Sequence, residues 1–248
     1  METGNIIVYT SADSVLQIAA HEDVVPLEEL YEICNIARNI TLKEEWKVGR
    51  IIARPFIGEV GNFTRTSNRH DYALNPPKKT ALDILKENNF SVISIGKISD
   101  IFNSCGITKS IKTKDNIDGL EKIKVTLKED FTGLCFANLN DFDSKYGHRR
   151  NPSGYMNALL EVDNNINEIK TLLEDDDLLI ITADHGNDPT YSGTDHTREM
   201  TPVLVYNKVF KNPSRLKDLE TFASIGATIL DNFNLDYDLG NSFLENLE

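Results

Sequence analysis

The sequence is short of several features that would place it in a familiar class. Cysteine occurs three times in 248 residues, at Cys34, Cys105 and Cys135, with wide spacing and no Cys-x-x-Cys pair. An odd, scattered set argues against a disulfide framework. Cys34 and Cys135 fall in apolar patterns, where a thiol packs as a small hydrophobe. No apolar run reaches the ~18 residues that mark a membrane-spanning helix, and the start lacks the basic, apolar and small-residue succession of a signal peptide. Basic residues are outnumbered, 26 Lys and Arg against 39 Asp and Glu, for a net charge of -13. That balance argues against nucleic acid or an anionic membrane as the main partner, since both call for a basic face. An anionic substrate must be received by local cations. The expectation is a soluble, cytoplasmic chain. There is no Gly-x-Ser-x-Gly, no Gly-x-Gly-x-x-Gly and no internal repeat, and Gly106 to Ser110 lacks the first glycine and the spacing of a P-loop.

What is present is an alternation of helical and strand patterns. The length suits one good-sized α/β domain, or a domain with a smaller appendage. Ile6 to Thr10 reads as a strand, and Ser11 to Ser14 as its polar end, in which Ser or Asp13 could cap the next segment. Pro26 is placed to start a helix, with Leu27, Leu30, Tyr31, Cys34 and Ala37 at spacings of three and four. Val48 to Ile57 reads as a strand carrying Arg50 and Arg54, on one face as either a solvated edge or an anion-receiving surface. From Gly61 to Pro77 the periodicity is lost, and the stretch reads as a crossover between two domains, with His70 as a hydrogen-bonding linker residue. Beyond it come a helix at Thr80 to Lys86, a strand at Ser91 to Ile95, a helix at Asp115 to Leu127 and a strand at Leu134 to Leu139. Next is a helix from about Gly154 to Leu173, with Tyr155, Leu159, Val162, Ile166, Ile169 and Leu173 as one core stripe. The strands Asp177 to Thr182 and Val203 to Tyr206 and a helix from about Leu219 to Phe233 complete the series. This pattern gives an α/β fold, a largely parallel sheet covered by helices.

Two strand ends carry the chemistry. Leu134 to Leu139 leads into Asn140-Asp141-Phe142-Asp143-Ser144-Lys145-Tyr146-Gly147-His148, and Asp177 to Thr182 leads into Ala183-Asp184-His185-Gly186-Asn187-Asp188. In an open α/β sheet ligands bind just beyond the carboxyl ends of strands. Of five histidines in the chain, His148 and His185 lie in these two segments and His196 follows the second, in Gly193-Thr194-Asp195-His196, each beside carboxylates. One Asp-His pair could equally be a turn cap; two such pairs point to metal binding. Lys97 ends the Ser91 strand in the same way and could aim an ammonium into the same crevice or remain solvated.

The segments IVYTSADSVLQIAAHE, NRHDYALNPP, IGKISDIF, NDFDSKYGHRRNP, ITADHGNDP and GTDHTRE resemble the phosphopentomutases of the alkaline phosphatase superfamily, over essentially the whole chain. The resemblance implies an alkaline-phosphatase-like core with two manganese ions and a smaller α+β cap, here residues 1–75 as partial cap and 76–248 as the C-terminal part of the core. It implies interconversion of ribose or deoxyribose 5-phosphate and 1-phosphate through a phosphothreonine enzyme. Asp143, His148 and His196 would hold one manganese, and Asp184 and His185 the other. Ser11, Asp13, Arg50 and Lys97 would meet the sugar phosphate. Family members begin with a segment that supplies the first core strand, a further aspartate ligand and the nucleophilic threonine, and no threonine here sits in a matching motif. The expectation is therefore an N-terminally truncated chain with one complete metal site and no identified catalytic residue, the missing segment being a partner in trans. The alternatives are a catalytically inactive metal-binding fragment, or another mutase or phosphohydrolase of the superfamily.

Overall fold

A computed structural model describes residues 3–11 and 15–247. The chain forms two compact units, Met1–Pro77 with Asp100–Ser104, and Lys78–Ser99 with Cys105–Glu248.

The first unit is a five-stranded sheet with one helix. Its elements are β1 (Ile7–Ser11), β2 (Val15–His21), α1 (Leu27–Ile40), β3 (Arg50–Glu59), β4 (Asn62–Arg65) and β5 (His70–Ala73). β1 and β2 pair antiparallel and β2 and β3 pair parallel; a parallel pair needs a crossover, and α1 provides it. Pro26 precedes α1 as its cap residue, in line with proline's preference for helix starts. Alternation along the strands sends Ile18 and Ala20 of β2 and Ile51 and Ala53 of β3 to one face, where they bury Leu30 and Cys34 of α1. The opposite face carries Gln17, Arg50 and Arg54, and Arg54 Nε donates to Gln17 Oε1 at 2.9 Å.

Two sequence expectations change here. Gly61 to Pro77 is not a structureless crossover, because β4 and β5 both pair antiparallel with β3. Asn62 to Arg65 is exposed throughout, so β4 is held by backbone hydrogen bonds and shows no apolar alternation. His70 lies in β5, its ring 4.6 Å from Tyr72 and 5.5 Å from Tyr31. The second change is β2, a strand after the polar 11–14 stretch, where the sequence suggests a capped segment. Residues 12–14, and with them Asp13, lie outside the described residues.

The second unit contains α2 (Ala81–Glu87), β6 (Ser91–Ile95), the short α3 (Ile98–Ile101) at its boundary, β7 (Lys109–Ile111) and α4 (Asn116–Thr126). Beyond these come β8 (Gly133–Ala137), a π-helical turn (Phe142–Gly147), α5 (Pro152–Leu172), β9 (Leu179–Thr182), β10 (Val203–Tyr206) and α6 (Ala223–Asn232). β6 is the centre of a parallel sheet in the order β7-β6-β8, and β9 and β10 form an antiparallel pair. The architecture is mixed α/β with parallel strands. Val92, Ile93, Ser94 and Ile95 of β6 are buried, whereas β8, with a strand on one side only among the described residues, is half-buried. β9 is likewise half-buried.

The core stripe of α5 is also shifted from its expected line. Ala158, Ile169 and Leu173 are buried, while Leu159 is 49% exposed. Leu159 and Ala158 lie three and four residues before Val162, and it is Ala158 that the helix turns inward. Asn165 accepts from Lys124 Nζ of α4 at 3.1 Å. Among the described residues no helix is long and apolar enough to cross a membrane.

Candidate metal centre

The segment after β8 is fixed before it reaches its first ligand. Buried Asp141 accepts from the Asn116 backbone N–H at 3.0 Å, and Asn116 Oδ1 accepts from the Asp141 N–H at 2.9 Å, tying the strand end to the start of α4. Lys145 Nζ donates to Asp141 Oδ2 at 2.9 Å. Asp141 is thus committed to structure, and the π-helical turn that starts next presents Asp143. Such turns widen a helix by one residue and recur at functional sites. The His148 N–H closes the turn on the Asp143 carbonyl at 3.0 Å.

Asp143, His148 and His196 then offer one ligand atom each within 4.8 Å of one another. Asp143 Oδ1 lies 3.2 Å from Nε2 of both His148 and His196. His148 Nδ1 is 2.5 Å from the carbonyl of Thr194. A carbonyl can only accept, so Nδ1 donates and Nε2 is the ring nitrogen turned toward Asp143. A ring nitrogen and a carboxylate oxygen facing each other at 3.2 Å are spaced to share a cation or a proton. Ligand bonds of about 2.1 Å place neighbouring donors about 3 to 3.5 Å apart. The donor set fits a divalent metal.

Asp184 and His185 repeat the arrangement. His185 Nδ1 lies 3.1 Å from the Gly186 carbonyl, and Nε2 lies 3.6 Å from Asp184 Oδ2. The His185 and His196 rings stack at 3.7 Å, and His196 stacks on His148 at 4.8 Å. Asp143, His148 and His196 thus form the cluster, and the ring contact with His196 brings His185, with its neighbour Asp184, beside it. The loop from Gly186 to Glu199 folds back through the bridge between Gly186 and Thr197. A side chain at position 186 would run into Glu199 Oε2 and come within 2.7 Å of the Thr197 carbonyl, so only glycine permits that return.

Two further residues organise the site and carry no role in the sequence reading. Asn187 is buried; its Nδ2 donates to Asp143 Oδ1 at 2.6 Å. Arg150 Nη1 donates to Asn187 Oδ1 at 3.2 Å and to the Asp188 carbonyl at 2.7 Å. Its Nε and Nη2 reach the carbonyls of Gly193 and Asp195 at 2.5 and 2.6 Å. One guanidinium thereby fastens the loop bearing His196 to the turn bearing Asp143 and His148. The pair Arg149-Arg150 directly after His148 was the available signal. Burial, and after it the charges of Asp143, Asp184 and Glu199, raises the Tyr155 phenol above its ordinary range, which places that ring in the negative field of the site.

The substrate residues expected from sequence are divided between the units. Lys97 Nζ donates to Asn140 Oδ1 at 2.5 Å, beside the turn that carries Asp143. Arg50 lies on β3 of the first unit, 3.7 Å from Asp71. Ser11 ends β1 opposite Val15, whose other neighbour across the sheet is Arg50. Thr80 is the cap of α2, its hydroxyl donating to Asp83 Oδ2 at 2.8 Å.

A family model described as Metalloenzyme superfamily matches residues 42–237. That span holds most of the chain, the Asp143, His148 and His196 cluster, and Asp184 and His185.

Proposed function

The chain belongs to the metalloenzyme superfamily, of alkaline-phosphatase-like fold, and on that premise we propose that it is a phosphopentomutase. In this reading it interconverts the 1-phosphate and 5-phosphate of ribose or deoxyribose in nucleoside metabolism in the cytoplasm. The observation that carries the metal-dependent part is the Asp143, His148 and His196 cluster, with its ligand atoms within 4.8 Å of one another. The choice of phosphopentomutase rests on the sequence motifs that surround it.

Asp143, His148 and His196 would hold one manganese, and Asp184 and His185 would contribute to a second. Imidazole and carboxylate donors suit manganese and also zinc. When bound, such cations neutralise charge on a phosphoryl group and activate a hydroxyl for in-line transfer. The chain's own part is to fix geometry. The Thr194 and Gly186 carbonyls hold the His148 and His185 rings, and Asn187 holds one lone pair of Asp143. Lys97 and Arg50, with Ser11 and Asp13, would bind the sugar phosphate.

The test is 31P NMR of ribose 1-phosphate with the purified chain and Mn2+. Appearance of ribose 5-phosphate, lost in Asp143→Asn, is the expected result. Release of inorganic phosphate would make the chain a phosphohydrolase instead. Mn2+ uptake without either product would make it a metal-binding domain whose nucleophile comes from another segment.

A further inference from the structure

Helix α1 is apolar on more than the side it buries. Leu30 and Cys34 pack on the sheet of the first unit, but Ile36 and Ile40, one turn apart and turned away from it, are 53% and 50% exposed. The loop that leaves the helix adds Leu42 and Trp46, 53% and 50% exposed. Large apolar side chains gathered at one end of a helix in this way mark an interaction surface. We propose that this face of α1 pairs two copies of the chain, with the two helices antiparallel about a two-fold axis. The inference is independent of the metal centre.

The occupant follows from the charges along the same stripe. Steps of three and four from Ile40 run back through Ile36 and Ile33 to Glu32 and Glu29, both exposed. Neither glutamate is bridged to a cation among the described residues. At the other end come Lys43, its Nζ 5.0 Å from the centre of the Trp46 ring, and Lys47, paired with Glu44 in an exposed bridge. Such a bridge contributes little, so Lys47 can exchange partners at small cost. The stripe therefore reads acid, apolar, base. Antiparallel pairing sets Glu29 and Glu32 of one protomer against the lysines of its partner, twice over, with Ile36 and Ile40 near the axis. Parallel pairing would set acid against acid. Copies that each carry -13 repel one another, so they associate where local charges of opposite sign meet. The same acidic end disfavours an anionic membrane. The helix dipole accounts for acid at the start of α1 and base beyond its end, but not for isoleucines left in water between them.

The surface is also held in place before any partner arrives. Buried Arg38, on the inner side of α1, donates from Nη2 to the Thr41 carbonyl at 3.3 Å and from Nη1 to the Tyr72 and Gly49 carbonyls at 3.4 and 3.5 Å. Thr41 Oγ1 donates to the Ala37 carbonyl at 2.8 Å. The turn that presents Leu42 is thereby tied to the helix and to the sheet beneath it. A preorganised surface loses less freedom on association, and an aromatic anchor beside aliphatic neighbours is the usual centre of a binding interface.

Trp46 is the only tryptophan in the chain, so its fluorescence reports on this surface directly. Sedimentation of the full chain over about a hundredfold range of concentration is expected to show monomer passing to dimer. Trp46 emission should move to shorter wavelength over the same range. Ile36→Glu is expected to weaken pairing at least tenfold with circular dichroism unchanged, since that side chain is exposed. Glu29→Lys with Glu32→Lys should give a monomer, and so should Lys43→Glu with Lys47→Glu. An equimolar mixture of these two variants should recover a heterodimer, because each end of the stripe again meets the opposite charge. A chain that stays monomeric with constant Trp46 emission overturns the proposal and leaves the surface to a different protein. A dimer that Ile36→Glu leaves intact, or folded charge variants that do not pair when mixed, would overturn it equally.

Discussion

Asn187 faces two ways: its amide N–H supports Asp143 and its amide oxygen accepts from Arg150. Groups that orient a metal ligand typically change affinity about 10- to 100-fold when removed. Asn187→Ala is therefore expected to weaken Mn2+ binding by about that factor, measured by calorimetry, with the fold retained. Arg150→Ala removes several charge-assisted bonds to carbonyls and is expected to do the same while also lowering stability by about 2 kcal/mol in urea. Arg150→Lys should restore little, because an ammonium cannot reproduce a planar fork reaching three loop carbonyls. The clustered residues were legible because an aspartate and a histidine at a strand end are chemically conspicuous. Asn187 and Arg150 were not, because their partners are carbonyls that only the folded loop brings near.

At the level of elements, local chemistry was read most easily where it is self-contained. Thr80 caps α2 in a reciprocal box with Asp83, and Thr80→Ala is expected to cost about 1 kcal/mol in chemical denaturation. β4 and β5 escaped notice because an edge strand satisfied by backbone pairing needs no apolar alternation. The π-helical turn escaped because periodicity cannot register a single inserted residue. Buried thiols add a pH dependence. Burial raises Cys34 on α1 and Cys135 on β8 from 9.0 to about 11. The unfolded chain ionises these thiols first, so stability is intact below pH 9 and falls as pH rises from 9 toward 11. Urea midpoints measured on either side of pH 9 should show that fall, and Cys34→Ala should reduce it.

For the whole molecule, fold class was accessible from the alternation of helices and strands, but the partition of strands was not. β9 was expected to extend the parallel sheet, and it pairs antiparallel with β10; which neighbour a strand chooses depends on contacts distant in sequence. The same distance separates Asp143 from His196, which the fold brings to 3.2 Å. A ligand that binds only the folded state stabilises it by mass action, about 2.7 kcal/mol at one hundred times its dissociation constant. Mn2+ is expected to raise the thermal midpoint, and excess EDTA to reverse the rise. The most direct measurement is calorimetric titration of Mn2+ into the wild-type chain and into His196→Ala. Tight binding in the wild type and loss of at least one site in the variant is the predicted result. Equal binding by both proteins, or none by either, would contradict a metal centre built on Asp143, His148 and His196.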